Sequence, residues 1–419
     1  MIRLLILLST FPFLFACCTD EKLAEGVIWK TPLNEKSLIY DHGIGYPIFN
    51  NTVVFHSTPI PNGTIHESIL HGLDTETGKE KWRLSNKDFN PKKNLEFFTL
   101  NYLYQRDNIV VGCDIKGGIP TPECYAYAID IDAGKVLWVK PISTDYRRVG
   151  FTIKGMGKYA YIDACTDKKF SLMKIDIETG EISVPFEVAA SDLPEEIRTE
   201  NSVYFNCFLA PIYKNSIGDD LVACSLISRS DTKPNDLMVT LYVYNLTQNS
   251  KVYSTIVTLK DDGNAWITFQ DGKILIGKYH TVYCYDAFEN KKLWEKSEML
   301  YDGVGLGSGN DMIMQILSTK NLALAYCVDR LVAFDINTGL LKYNVLAPGS
   351  NTASIIDGII YQREGSDLGM RDPNTGSLLK RIATGRDEQA FSSARPNGAD
   401  GKIFVHTYTH AYCIKAWGK

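Results

Sequence analysis

One phrase returns along the chain and constrains its fold more than any other feature. Gly72-Leu73-Asp74-Thr75-Glu76-Thr77-Gly78-Lys79-Glu80-Lys81-Trp82 recurs as Ala128-Ile129-Asp130-Ile131-Asp132-Ala133-Gly134-Lys135-Val136-Leu137-Trp138. Further copies close at Val184, Tyr253, Trp294, Tyr343 and Lys380. In each, an Asp or Asn (Asp286 and Asp335 among them) stands eight residues before the closing position. The chemistry is that of a strand, a tight turn and a second strand. The Asp caps the turn through its own side chain, and a Gly four residues later, such as Gly339, supplies positive φ. Asn290 and Ser250 (next to Asn249) replace that Gly in two copies. The closing aromatic is expected to lie flat over the following repeat.

A second element precedes each phrase, a six-residue apolar run entered from a polar turn. The runs are 51–56, 107–112, 157–162, 219–224, 272–277, 321–326, 357–362 and 401–406. Eight such runs stand against seven closing phrases. The last run is followed by one more strand, Ala411 to Ala416, and then the sequence stops. An orphan of the missing type lies near the start, at Gly26-Val27-Ile28-Trp29-Lys30. The pattern predicts an all-β fold: an eight-bladed β-propeller of four-stranded antiparallel blades, closed when the N-terminal strand joins the last blade. Length alone suggests two or three domains. The repeats replace that with a single domain over residues 26–419.

Composition excludes several classes. At 45% hydrophobic and 22% charged the chain is not intrinsically disordered. A net charge of −5 without a long Lys/Arg run makes nucleic acid an unexpected partner. Ten cysteines over 419 residues are too few to build a disulfide scaffold.

The first residues read as an address. Arg3 is followed by an apolar run from Leu4 to Ala16, too short to span a bilayer and suited to a signal peptide. Leu14-Phe15-Ala16-Cys17 resembles the lipobox of bacterial lipoproteins, with Cys18 as the neighbouring candidate. The resemblance implies a signal peptide over 1–16, lipidation at Cys17 and a tether over 17–25. Such a protein is held at the outer membrane by its N-terminal lipid. Thr19-Asp20-Glu21 resembles a short acidic surface-export signal, so a periplasmic and a cell-surface placement both stay open.

The pattern at Ala128 to Trp138 resembles the tryptophan-docking motif of the PQQ-like (pyrroloquinoline-quinone-type) propeller repeats. The likeness extends over nearly the whole mature chain, and the copies at 72–82 and 128–138 carry the motif almost in full. A lipobox followed by an eight-bladed propeller is similar to the non-enzymatic, BamB-like branch, the lipoproteins of outer-membrane β-barrel assembly. That resemblance implies a non-catalytic monomer with no cofactor and no metal, acting as a scaffold for an envelope protein. The alternatives are a quinoprotein dehydrogenase or a glycan-binding surface lipoprotein. The quinoprotein branch packs a vicinal Cys–Cys pair on its quinone, whereas the adjacent cysteines here, Cys17-Cys18, sit in the lipobox.

The remaining candidates have bland readings. Cys113, Cys124, Cys165, Cys207, Cys224, Cys284, Cys327 and Cys413 are spread over the repeats and read as small core residues. Cys113 and Cys124 flank one hairpin, and the sequence leaves a disulfide between them open. His406 and His410 straddle the turn of the final hairpin, His56 and His280 fall in other repeats, and all read as packing or solvated side chains. Asp130-x-Asp132-x-Gly134 has a passing likeness to a Ca²⁺ loop and is better explained as a turn. Two polar stretches lengthen the fourth repeat, with Glu195, Glu196 and Arg198 in one and Asp231 and Lys233 in the other. Long loops on a rigid scaffold are common contact sites, so these are the candidate partner loops.

Overall fold

The computed structural model describes residues 23–33, 45–57, 69–89, 101–115, 124–142, 148–166, 168–192, 206–229, 237–259, 265–278, 281–296, 313, 315–327, 329–348, 353–385, 388, 390–391 and 395–419. These form eight antiparallel sheets, the eight blades. Blade 1 comprises Ile48–Phe49, Thr52–Ser57, Ile69–Asp74 and Glu80–Ser85. Blade 2 comprises Asn101–Arg106, Ile109–Ile115, Cys124–Asp130 and Lys135–Ile142. Blade 3 comprises Arg148–Met156, Tyr159–Cys165, Lys169–Asp176 and Ile182–Ala189. Blade 4 begins with Asn206–Leu209 and Tyr213–Lys214, which share one neighbour, and continues with Asp220–Arg229, Leu237–Asn245 and Ser250–Leu259. It is therefore five-stranded where the repeat predicts four.

Blade 5 comprises Ala265–Gln270, Lys273–Lys278, Thr281–Asp286 and Lys292–Lys296. Blade 6 comprises Gln315–Ser318, Leu322–Tyr326, Arg330–Asp335 and Leu341–Leu346. Blade 7 comprises Ala353–Ile356, Ile359–Glu364, Asp367–Arg371 and Leu378–Ile382. Blade 8 is Asn397–Ala399, Lys402–His406 and His410–Lys415, completed by Val27–Pro32. Val27 pairs with Ile414 and Pro32 with His410, so the N-terminal strand closes the ring as the orphan phrase predicts.

Alternation decides where each side chain goes. Successive residues of a strand point to opposite faces, and each blade is packed on both. In blade 2, Val110 joins the apolar cluster shared with blade 1 and Val111 the one shared with blade 3. Eight such clusters occur, one at every joint of the ring, so the core is a circle of seams rather than one centre. The eight hexads are the second strands, and strands such as Thr52–Ser57 and Leu322–Tyr326 are buried along their whole length.

The two ends of the ring differ. At one end lie the turns joining first to second and third to fourth strands. There a backbone hydrogen bond ties the two turns of a blade together: Thr75 to Asn51, Ile131 to Asn108, Ile177 to Lys158, Ala287 to Gly272 and Ile336 to Asn321. Pro373 stands at that position in blade 7 and has no N–H to give. The connections from second to third strand, and from blade to blade, leave from the other end. We call these the turn end and the loop end.

Candidate functional site

The predicted site residues of the repeat build the turn end. Asp74, Asp130, Asp286 and Asp335 each accept, on one carboxylate oxygen, the backbone N–H groups two and three residues ahead, at 2.8–3.1 Å. The Thr338 backbone N–H holds the Asp335 carboxyl below its usual range. These turns explain the likeness of Asp130-x-Asp132-x-Gly134 to a Ca²⁺ loop, because the Asp130 oxygen is occupied by the chain itself.

Where the closing residue is aromatic, it docks on the turn of the next blade. Trp82 donates its indole N–H to the Ile131 carbonyl at 2.7 Å, Trp138 to Ile177 at 2.9 Å and Trp294 to Ile336 at 3.0 Å. Tyr253 and Tyr343 reach Asp286 and Pro373 through their hydroxyls, at 2.6 and 2.7 Å. The indole lies over the turn glycine so closely that a Cβ on Gly134 would sit 2.2 Å from a Trp82 ring atom. Gly134 also has φ +61°, and Gly78 and Gly339 repeat the arrangement under Trp29 and Trp294.

Trp29 is a docking residue that the repeat pattern missed. Its indole donates to Thr75 at 3.0 Å, joining blade 8 to blade 1. The orphan strand carries the signal, since Trp29 holds the position of the other closing residues. Two substitutions for the turn glycine need correction. The left-handed residue in blade 4 is Asn249 (φ +54°), not Ser250. Asn290 is absent from the positive-φ residues, and its turn closes instead through Lys291 N–H to Glu289.

Two joints lack the aromatic. Val184, the closing residue of blade 3, is 43% exposed. There blade 4 reaches back: Tyr244 donates to Pro185 at 2.8 Å and stacks on Phe186 with centroids 4.2 Å apart. Lys380, the closing residue of blade 7, pairs with Glu25 at 3.3 Å.

The seam between blades 8 and 1 brings together histidines that looked unrelated in sequence. The Tyr46 hydroxyl hydrogen-bonds His406 Nδ1, while His406 Nε2 is buried without a partner. Burial pushes His406 down to about 3 and His56 down to about 4; neighbouring imidazoles, His56 for the first and His71 for the second, add to it. His71, which sequence reasoning overlooked, bridges Ser57 Oγ (2.6 Å) and Glu80 (2.7 Å). Ser57 and His71 are enclosed, at 0% and 1% exposure, and the chain of contacts ends on the exposed carboxylate of Glu80. It gives hydrogen-bond partners to the buried hydroxyl of Ser57 and the buried imidazole of His71. His280 lies outside the described residues.

Cys113 and Cys124 are both buried. Cys113 pairs with Ala126 and Cys124 with Ile115, which sets them diagonally on neighbouring strands. Burial raises the Cys284 and Cys413 thiols to about 12. Among the described residues no group of three or more His, Cys, Asp or Glu is placed to hold a metal.

Cys17 and the candidate partner residues Glu195, Glu196, Arg198, Asp231 and Lys233 lie outside the described residues. Their attachment points are described. One stretch leaves after Asp192 and returns at Asn206; the other joins Arg229 to Leu237. Asn206 pairs with Ile227, and Arg229 with Leu237, so both stretches spring from the loop end of blade 4.

The fold matches known structures. Sqt1 of Chaetomium thermophilum superposes with a TM-score of 0.58 at 10% identity, covering 94% of this chain and 98% of that one. The quinohemoprotein alcohol dehydrogenase ADHIIG of Pseudomonas putida HK5 gives 0.57 at 12% identity, with 94% and 76% covered. The Dos1 propeller gives 0.56 at 12%, with 93% and 96% covered. The chain is a β-propeller. At such identities the likeness concerns the fold alone. No family model and no curated protein sequence matches the chain.

Proposed function

We propose that this propeller is a non-catalytic, lipid-anchored binding module of the bacterial envelope, holding a protein partner on its loop end. One observation carries the reading. Gly26 accepts a hydrogen bond from Lys415, beside the Ala416 to Gly401 bond of the turn end, so the tether enters the ring there. The extended connections leave from the opposite end. A body lipidated at Cys17 therefore turns its uniform, short-turned end toward the bilayer and its variable end toward solvent. Several acyl chains hold such a body firmly where one alone would not.

The scaffold reading agrees with a core whose every seam is closed by packing. The test is capture from the native envelope with the tethered protein as bait. One envelope protein should co-purify, and removal of 193–198 should release it. Lipid labelling that persists in Cys17→Ala contradicts the anchor. Dye reduction by purified protein supplied with the quinone, Ca²⁺ and an alcohol contradicts the non-catalytic reading.

A further inference from the structure

The innermost strands form a ring of their own. Neighbouring first strands touch from blade 2 to blade 8 in order. Amide side chains stitch several of them. Gln105 bonds both backbone groups of Ile48 (3.1 and 2.5 Å), Gln315 bonds both of Ala353 (2.7 and 3.0 Å), and Asn397 bonds the Tyr46 carbonyl (2.5 Å). Unlike the buried second strands, most residues of Ala265–Gln270, Ala353–Ile356 and Asn397–Ala399 are partly open to solvent, although Ala265, Gln315 and Ala353 themselves are buried. They therefore line an axial passage.

The charge of that passage is one-sided. No Asp or Glu occurs in any first strand, including both segments of blade 4, although the chain has 49 acidic against 44 basic residues. The charged residues there are Arg106, Arg148, Lys154 and Lys214, and Arg395 stands just ahead of the first strand of blade 8. Arg106 reaches Glu178, and Lys214 reaches Asp220. Lys154 makes no ion pair or hydrogen bond among the described residues. Its neighbour in charge is Arg395, from a blade two places beyond its nearest neighbour around the ring, so the two cations face each other across the axis.

We propose that the axial passage binds an anionic group of carboxylate or phosphate type, held between Lys154 and Arg395. A half-buried cation without a counter-ion loses part of its hydration uncompensated, and a second cation nearby adds repulsion. Desolvation first, and Arg395 second, bring the Lys154 ammonium down to about 8, which a bound anion would reverse. Acidic turn residues Asp107, Asp271, Asp357 and Asp400 stand at the turn end of the same first strands, so an anion enters from the loop end. The inference is independent of the tether and of any protein partner.

The experiment uses the mature chain, with thermal unfolding followed against citrate and against inorganic phosphate at constant ionic strength set by sodium chloride. Saturable stabilisation by either anion is expected, citrate alone pointing to a carboxylate and phosphate alone to a phosphate group. Lys154→Met should weaken the apparent affinity at least ten-fold while leaving the anion-free protein as stable as the parent or more so. Lys419→Gln, on the exposed tail, should leave the affinity unchanged. Should Lys154→Met fail to fold, ¹³C-dimethylated lysines in the parent give a second readout: one amine titrating near pH 8 that moves up when the anion is added. No saturable effect, an unchanged affinity in Lys154→Met, or an amine unmoved by the anion overturns the proposal.

Discussion

The two ends of this ring obey different rules. At the turn end four features recur in most blades: an Asp or Asn capping its own turn, a left-handed residue four positions later, a bond to the neighbouring turn, and an indole or phenol from the blade before. At the loop end the connections vary in length and charge, although Thr166 and Thr407 cap similar tight turns in blades 3 and 8. Second and third strands are joined by three residues at Thr407–Thr409, but by Arg229 to Leu237 through a stretch with its own charges. Repetition marks what stability demands of every blade, and variation marks what the scaffold leaves free for contacts. The joints sharpen the same contrast, since six carry a docked Trp or Tyr and the two at Val184 and Lys380 do not.

The largest expected effect breaks a docked joint. Trp82→Ala should cost about 4 kcal/mol, lost apolar contact plus cavity, whereas Val184→Ala should cost under about 1 kcal/mol because the side chain is already exposed. Denaturant unfolding of both variants measures the difference, and equal losses would abolish the distinction between joints. Acid should act next, on the seam of blades 8 and 1. His56 and His406 have folded-state values below the unfolded value of 6.5, so their contribution is complete above pH 6.5 and falls as the unfolded chain takes up protons below it. Going from pH 6.5 to 5.5 should cost about 2 kcal/mol for the pair. A His56→Gln, His406→Gln double variant should flatten that slope.

Removing one turn cap is smaller. Asp130→Ala should lose about 1 kcal/mol, with Asp335→Ala alike, because the caps serve equivalent turns. The smallest effect on stability belongs to the loop end. Glu195→Lys with Glu196→Lys should change stability by less than about 0.5 kcal/mol, yet weaken capture of the partner. A loss of stability there as large as at the caps would erase the contrast between the ends.

What the sequence makes legible follows the same division. The turn end is readable because Asp74, Gly78 and Trp82 act over short separations and recur in register, so one copy explains another. The closure of the ring was readable from a count, eight hexads against seven phrases. Contacts across the closure were not. His56 and His406 lie at opposite ends of the chain and meet only because Val27–Pro32 completes blade 8. Trp29 carries no Asp-turn phrase before it, so its docking role appears only once its strand is paired. Lys154 gives no local signal at all, since its strand resembles any other until the ring sets it on the axis. Blade 4 departs from the pattern because Tyr213 stacks on Phe269 at 4.1 Å and bonds the Ala287 carbonyl, which draws a second short segment into the sheet.

The central claim is that binding belongs to the loop end and anchoring to the turn end. Site-specific photo-crosslinking in the native envelope tests it most directly, with the crosslinker placed singly at Lys168, Ser366 or Tyr408 on the loop end and at Glu178, Glu289 or Asn337 on the turn end. The account predicts a discrete crosslinked partner from one or more loop-end positions and none from the turn end. A partner crosslinked from the turn end alone, or equally from both, would contradict it.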